Sequence, residues 1–255
     1  MINFPERSYL TIGAGVTMDL ANPDPNLITP EIVAASLYYQ NRYAGHLSFP
    51  YPVLNHTFIV ALAILSIFDA SEAQNKLAFI GLVHDDTEAI VSDIPHPVKV
   101  LLPQFTELEK HIWDKAIAPA WGLEPDDIDN PIVVKVDKSC WDLEECVVHF
   151  GDPRYAIQID GPQDIKGSEI ERHVLRWLNA GLSYYNSSEQ AELLAKYGLK
   201  TRESVDVGDH VYMICKQLLW GCQFYQDSMA DQVQLRVDMQ RFFSRRYAGW
   251  SLKKT

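Results

Sequence analysis

The stretch FIGLVHDDTEAIV (79–91) sets His84 and Asp85 directly after the apolar residues Phe79, Ile80, Leu82 and Val83. A polar group sunk among such neighbours without a partner costs about 2–7 kcal/mol, so the pattern asks for something that satisfies both side chains. Glu88 follows four residues after His84, one helical turn along the same face, and Asp93 comes next in a Pro-flanked turn. Two other apolar segments carry groups of the same kind. His56 opens HTFIVALAIL (56–65), and Asp137 stands among valines in IVVKVDKSCW (132–141). Two imidazoles and two carboxylates, His56, His84, Asp85 and Asp137, suit one divalent cation with positions left open for water and substrate. Zinc, manganese, cobalt, iron and nickel are all chemically compatible with that set.

The segments that must position these groups read as helices. Weak alternation around a glycine in SYLTIGAGVTMDL (8–20) predicts a short hairpin, and NPDPN (22–26) a loop. Thr29 and Pro30 open a helix to about Tyr43, with Thr29 as N-cap and Pro30 at the first helical position. The two prolines of GHLSFPYPV (45–53) exclude regular helix there. The apolar run from Asn55 to about Asp69 is long enough for a buried helix. A further helix, led in by Ser71 or Gln74, carries the HDD run and ends before Asp93. Another covers 104–121, and Asn130-Pro131 starts one that passes through Asp137 to about Val148. The Gly/Pro/Asp-rich stretch 151–164 suggests a division near 160, giving a unit over 1–160 and a helical extension over 161–255. Helical patterns recur near 166–180, 188–197, 205–223 and 226–246. The fold class is all-α with a small N-terminal hairpin.

Composition narrows the function. The chain has 255 residues, 47% of them hydrophobic, and a net charge of −12, which belongs to a globular protein and opposes a general grip on nucleic-acid phosphates. The longest apolar stretch, 58–68, is short of the roughly 20 residues that span a bilayer. The N-terminus lacks the basic start and apolar core of a secretory signal. Cys140, Cys146, Cys215 and Cys222 form no CxxC pair and read as free thiols of a reducing compartment. The expectation is a cytoplasmic protein that binds neither membrane nor nucleic acid.

The order H…HD…D, with NRYAGH (41–46) upstream and HDDTEAIVSDIPHPVK (84–99), resembles the HD-domain phosphohydrolase superfamily. Within it, the pattern is most similar to 5′-deoxynucleotidases and to phage-encoded HD nucleotide hydrolases, some of which are dATP triphosphohydrolases. The resemblance covers about residues 8–148 and includes the hairpin, the P-x-P loop and the R-[FY]-x-G-H motif. It implies an HD-domain helical fold in which His56, His84, Asp85 and Asp137 hold the metal. It gives Glu88 and Asp93 catalytic roles, has Arg42 contact the phosphate, and adds His46 and Lys99 on the substrate side. Mg would accompany the substrate phosphates, and a homo-oligomer is expected. Leu47-Ser48-Phe49 replaces basic residues that many phage relatives carry, which favours a deoxynucleoside monophosphate as substrate, split to nucleoside and phosphate. The alternatives are triphosphate release from a dNTP and a metal-containing protein that binds a nucleotide without turnover. Asp86 reads as a solvated neighbour or as a residue standing behind the ligands. Tyr43, Phe49, Tyr51 and Trp141 are candidates for a base pocket, with core packing as the ordinary use of such aromatics. The basic C-terminal stretch reads as a solvated helix end.

Overall fold

The computed structural model describes residues 8–47, 50–146, 169–206, 208–219 and 228–245, together with Ile2 and Phe4. The loop at 151–164, the division near 160, Ser48, Phe49, His149 and Cys222 lie outside the described residues. Strands β1 (Tyr9–Ile12) and β2 (Val16–Asp19) form the hairpin, antiparallel, with Tyr9 opposite Asp19 and Ile12 opposite Val16. Among the described residues everything else regular is helical.

Helix α1 (Pro30–Tyr39) starts at the expected cap, where the Thr29 hydroxyl accepts from the Ile32 N–H at 3.3 Å. It stops four residues before the expected end. Its last turn gives way at Gln40, whose amide group reaches across to the segment after Asp85. A 3-10 turn at Tyr43–Gly45 and a bridge between Asn41 and Pro52 then carry the chain into α2 (Val53–Ile67). All of α2 except Leu65 is buried. It is the axis of the molecule, with α1, α3 (Glu72–Val83), α8 (Pro131–Glu144), α9 (Glu169–Tyr185) and α11 (Asp209–Leu218) packed around it.

Helix α3 begins at Ser71, whose hydroxyl accepts from the Gln74 N–H at 3.0 Å. It approaches α2 closely because Gly81 has no side chain: a Cβ there would meet Val60 at 2.9 Å and Ile64 at 3.0 Å. The single helix expected over 75–91 is broken. After Val83 the residues His84–Thr87 form a tight turn with Asp86 N–H on Val83 O at 3.0 Å and Glu88 N–H on Asp85 O at 2.9 Å. The short helix α4 (Glu88–Val91) follows. The metal-competent pair therefore sits at a helix end, where side chains can leave the core.

Helix α5 (His96–Lys99) leads into α6 (Pro103–Ile112), a π-helical turn over Trp113–Ile117 and α7 (Ala118–Trp121), which together replace the uniform helix read over 104–121. Helix α8 is capped by Asn130, whose side chain accepts from the Ile132 N–H at 3.0 Å. Beyond it come α9, α10 (Ala191–Tyr197), α11 and α12 (Met229–Ser244), the last lying across α1 and α3. Side chains of α9 and α11 such as Leu178, Ile214 and Leu218 join the hydrophobic core around α2. Among the described residues no helix is long and apolar enough to cross a membrane.

Candidate metal centre

His56 in the first turn of α2, His84 and Asp85 in the turn after α3, and Asp137 midway along α8 are brought together. One ligand atom each from His56, His84 and Asp85 lie within 4.8 Å of one another. Asp137 Oδ1 is 2.9 Å from His56 Nε2 and 3.6 Å from His84 Nε2. Asp85 reaches the same two nitrogens, Oδ1 at 3.3 Å from His84 and Oδ2 at 3.9 Å from His56. Exposure rises across the group: the His56 side chain is 1% exposed, His84 10%, Asp85 17% and Asp137 39%. The cluster is a cup with an imidazole floor, open to solvent on the Asp137 side.

His84 Nδ1 is 2.8 Å from Gly81 O, and a carbonyl only accepts, so Nδ1 carries the hydrogen. In the neutral ring Nε2 is then a bare lone pair. It is buried without a hydrogen-bond partner and faces carboxylate oxygens. His56 lies between Glu144 Oε1 and Asp137 Oδ1, each at 2.9 Å. Lone pairs pressed against carboxylates repel unless a proton or a cation stands between them. Burial and the Arg42 charge oppose protonation of His56, yet Glu144 and Asp137 prevail and push it up to about 10. His84 moves upward too, with burial opposing and Asp85 and Asp137 winning. Burial would raise Asp137, but the hydrogen bond with His56 and the neighbouring His84 ring hold it far below the usual carboxylate range. Two imidazoliums with ring centres 5.3 Å apart supply a double positive charge. One divalent cation supplies the same charge and leaves both lone pairs free to coordinate it. The donor set fits such an ion.

Arg42 borders the cup. Its Nη2 is 3.2 Å from Glu144 Oε2 and its Nη1 3.8 Å from Asp85 Oδ2, while Nε has no hydrogen-bond partner. The chain leaves Arg42 through three left-handed residues, Tyr43 (φ 58°), Ala44 (φ 51°) and Gly45 (φ 71°), two of which pay the steric cost of a Cβ in that region. His46 is exposed at the end of this turn and takes no part in the hydrogen bonds of the cluster among the described residues. Of the aromatic candidates, Tyr51 is buried and donates its hydroxyl to Glu144 at 2.9 Å, whereas Trp141 is exposed.

Glu88 is buried; its Oε1 accepts from Lys99 at 3.1 Å and its Oε2 has no partner. Burial first, then the charges of Asp85 and Asp93, raise it to about 8. Asp93 is raised as well, by burial and then by Asp85, against the pull of Arg42. Lys99 also donates to Glu109 at 2.8 Å, so the structure places it between two carboxylates and not facing the cup as a free cation.

Three residues that sequence reasoning passed over complete the site. Glu144 is fully buried, bonds His56 and Tyr51, and pairs with Arg42. Arg42 and His56 keep it ionised against burial. Its signal was present: seven residues after Asp137, two turns along the same helix. Gln40 donates to Glu88 O at 2.8 Å and accepts from the Asp93 N–H at 2.9 Å, so one amide holds both ends of the segment with the two acids. Glu109 anchors Lys99.

No family model matches the chain. Over 107 residues it is 37% identical to the "Uncharacterized protein YfdR" of Escherichia coli (strain K12), an alignment that covers 42% of this chain and 53% of that protein. The chain thus spans about half the length of the curated relative it matches.

Proposed function

We propose that this protein is a divalent-metal-dependent phosphohydrolase of the HD-domain kind, which removes the 5′-phosphate of a deoxynucleoside monophosphate. The observation that carries the reading is the convergence of His56, His84, Asp85 and Asp137 from three separate segments into a cup open to solvent. Arg42 and Glu88 stand beside it. A divalent cation held there would polarise a phosphoryl oxygen and bring the pKa of a bound water towards about 7.

The chain's own groups do the rest. Arg42 offers a planar fork to phosphate oxygens. Glu88, raised to about 8, holds a proton at neutral pH and can give it to the departing 5′-oxygen as general acid. Asp93, kept next to it by Gln40, can orient or deprotonate the attacking water. Glu144 fixes His56 through Nδ1, so that Nε2 faces the cup. Lys99 is committed to Glu88 and Glu109, which leaves Arg42 as the principal cation at the cup among the described residues. That supply matches a short phosphate better than a triphosphate.

The test is to strip the protein with chelator, reload it with Co, Mn, Zn, Fe or Ni, and follow products over a panel of nucleoside mono- and triphosphates. Release of inorganic phosphate from deoxynucleoside monophosphates is expected. Consumption of dNTPs with intact triphosphate as the product would overturn the substrate assignment.

A further inference from the structure

Behind the cup, on the side away from solvent, α12 sends a fully buried arginine into the turn that presents two of the four ligands. Arg236 has no exposed surface. Its Nη2 donates to Leu82 O at 2.8 Å and to Asp86 Oδ1, and its Nη1 to Gln240 Oε1 at 3.3 Å. The other oxygen of Asp86 accepts from Trp121 Nε1 at 2.8 Å. Leu82 and Asp86 bracket His84 and Asp85 in sequence. One rigid guanidinium therefore grips the chain just before and just after the ligand pair, and an indole from α7 braces it from another direction.

Stability alone is a poor reason for this arrangement. Desolvating two charges costs several kcal/mol per ion, and buried pairs are often replaceable by apolar side chains without loss. What a planar five-donor fork supplies and a greasy contact does not is fixed geometry at two points. The turn needs that: it is a break between α3 and α4, where three-residue backbone hydrogen bonds at Asp86 and Glu88 interrupt the helical ladder.

We infer that Arg236 is a positioning residue for the metal centre, acting through Asp86 and Leu82 on the orientation of His84 and Asp85. The C-terminal helix then belongs to the support of the site. This rests on the metal reading above.

The experiment is Co(II) titration of chelator-treated protein, followed by visible absorption and calorimetry, on the wild type, Arg236→Met, Arg236→Lys and Trp121→Phe, each checked for native helicity and melting temperature. Loss of a group bonded directly to a metal ligand typically weakens binding about 10–100-fold, and Arg236, one residue removed from the ligands, is expected at the lower end, about 10-fold. That weakening, with an altered Co(II) band at saturation well below the melting temperature, is expected for Arg236→Met. Partial recovery is expected for Arg236→Lys and a smaller change for Trp121→Phe. If Arg236→Met does not fold, the other two variants decide. A wild-type chain that takes up no Co(II) overturns the metal reading and this inference with it. A wild-type chain that binds, alongside folded variants with the same affinity and spectrum, overturns this inference alone.

Discussion

At the scale of single residues, Glu88 is the group whose chemistry departs furthest from its ordinary behaviour in a useful direction. Its folded value of about 8 against 4.5 in a free carboxyl means that the native chain holds one more proton than the unfolded chain between those pH values. Stability must then fall as pH rises across that window, by up to about 1.4 kcal/mol per pH unit for one proton, and level off above it. Glu88→Gln removes the titration and keeps the shape. Urea unfolding of the metal-free chain from pH 5 to 8.5 should show the variant gaining on the wild type as pH rises. A constant difference between the two would show that Glu88 titrates normally. In the reloaded protein the same substitution should abolish turnover and leave Co(II) uptake intact, whereas a nucleotide-binding protein without turnover would keep its ligand affinity.

At the scale of elements, the segment from Glu88 to Asp93 is the part under tension. Ser92 sits at φ 76°, ψ 151°, a region open essentially to glycine and costing a side-chain-bearing residue about 1–3 kcal/mol. The Gln40 amide holds the flanking residues in place against that cost. Ser92→Gly should relieve the strain and stabilise the fold by about 1 kcal/mol, after allowing for the greater freedom of glycine in the unfolded chain. The melting temperature would rise by about 2–4 °C. If the tension aims Asp93, turnover falls in the same variant; an unchanged or lowered melting temperature would refute the strain. Nothing in the sequence announces Ser92, because backbone strain leaves no compositional trace. Caps do leave one: Thr29, Ser71 and Asn130 were readable because their side chains bond amides two or three residues away. The periodic runs gave α1, α2 and α8 for the same local reason. The break after Val83 was hidden, since His84 to Thr87 keep near-helical spacing and only the long-range grip of Arg236 on Asp86 marks them off. Gln40 and Glu144 escaped for a similar cause: their roles lie in contacts across 53 and 88 residues of chain.

At the scale of the molecule, the metal centre is also the place where the fold gathers acidic charge. Asp85, Asp137 and Glu144 meet around the two imidazoles, with Glu88, Asp93 and Glu109 beside them, in a chain whose net charge is already −12. Without a metal, the native state depends on the proton held by His56, with His84 shifted in the same direction. For His56 the folded value of about 10 exceeds the ordinary 6.5, so its contribution is complete below pH 6.5 and is lost as pH rises towards 10. A bound divalent ion takes over that charge and needs no proton. Because α9, α11 and α12 share the core that α2 organises, the effect should appear in the unfolding of the whole described body. Metal-free protein is expected to lose stability steadily from pH 6.5 to 9, while protein with Mn(II) at about 100 times its dissociation constant should be stabilised by about 2.7 kcal/mol at a given pH. At a fixed total metal concentration the gap should widen with pH, because fewer protons compete for the imidazole nitrogens. Calorimetric scans with and without Mn(II) at three pH values measure this directly. A melting temperature that ignores the metal throughout would mean that the four side chains hold one another by hydrogen bonds alone.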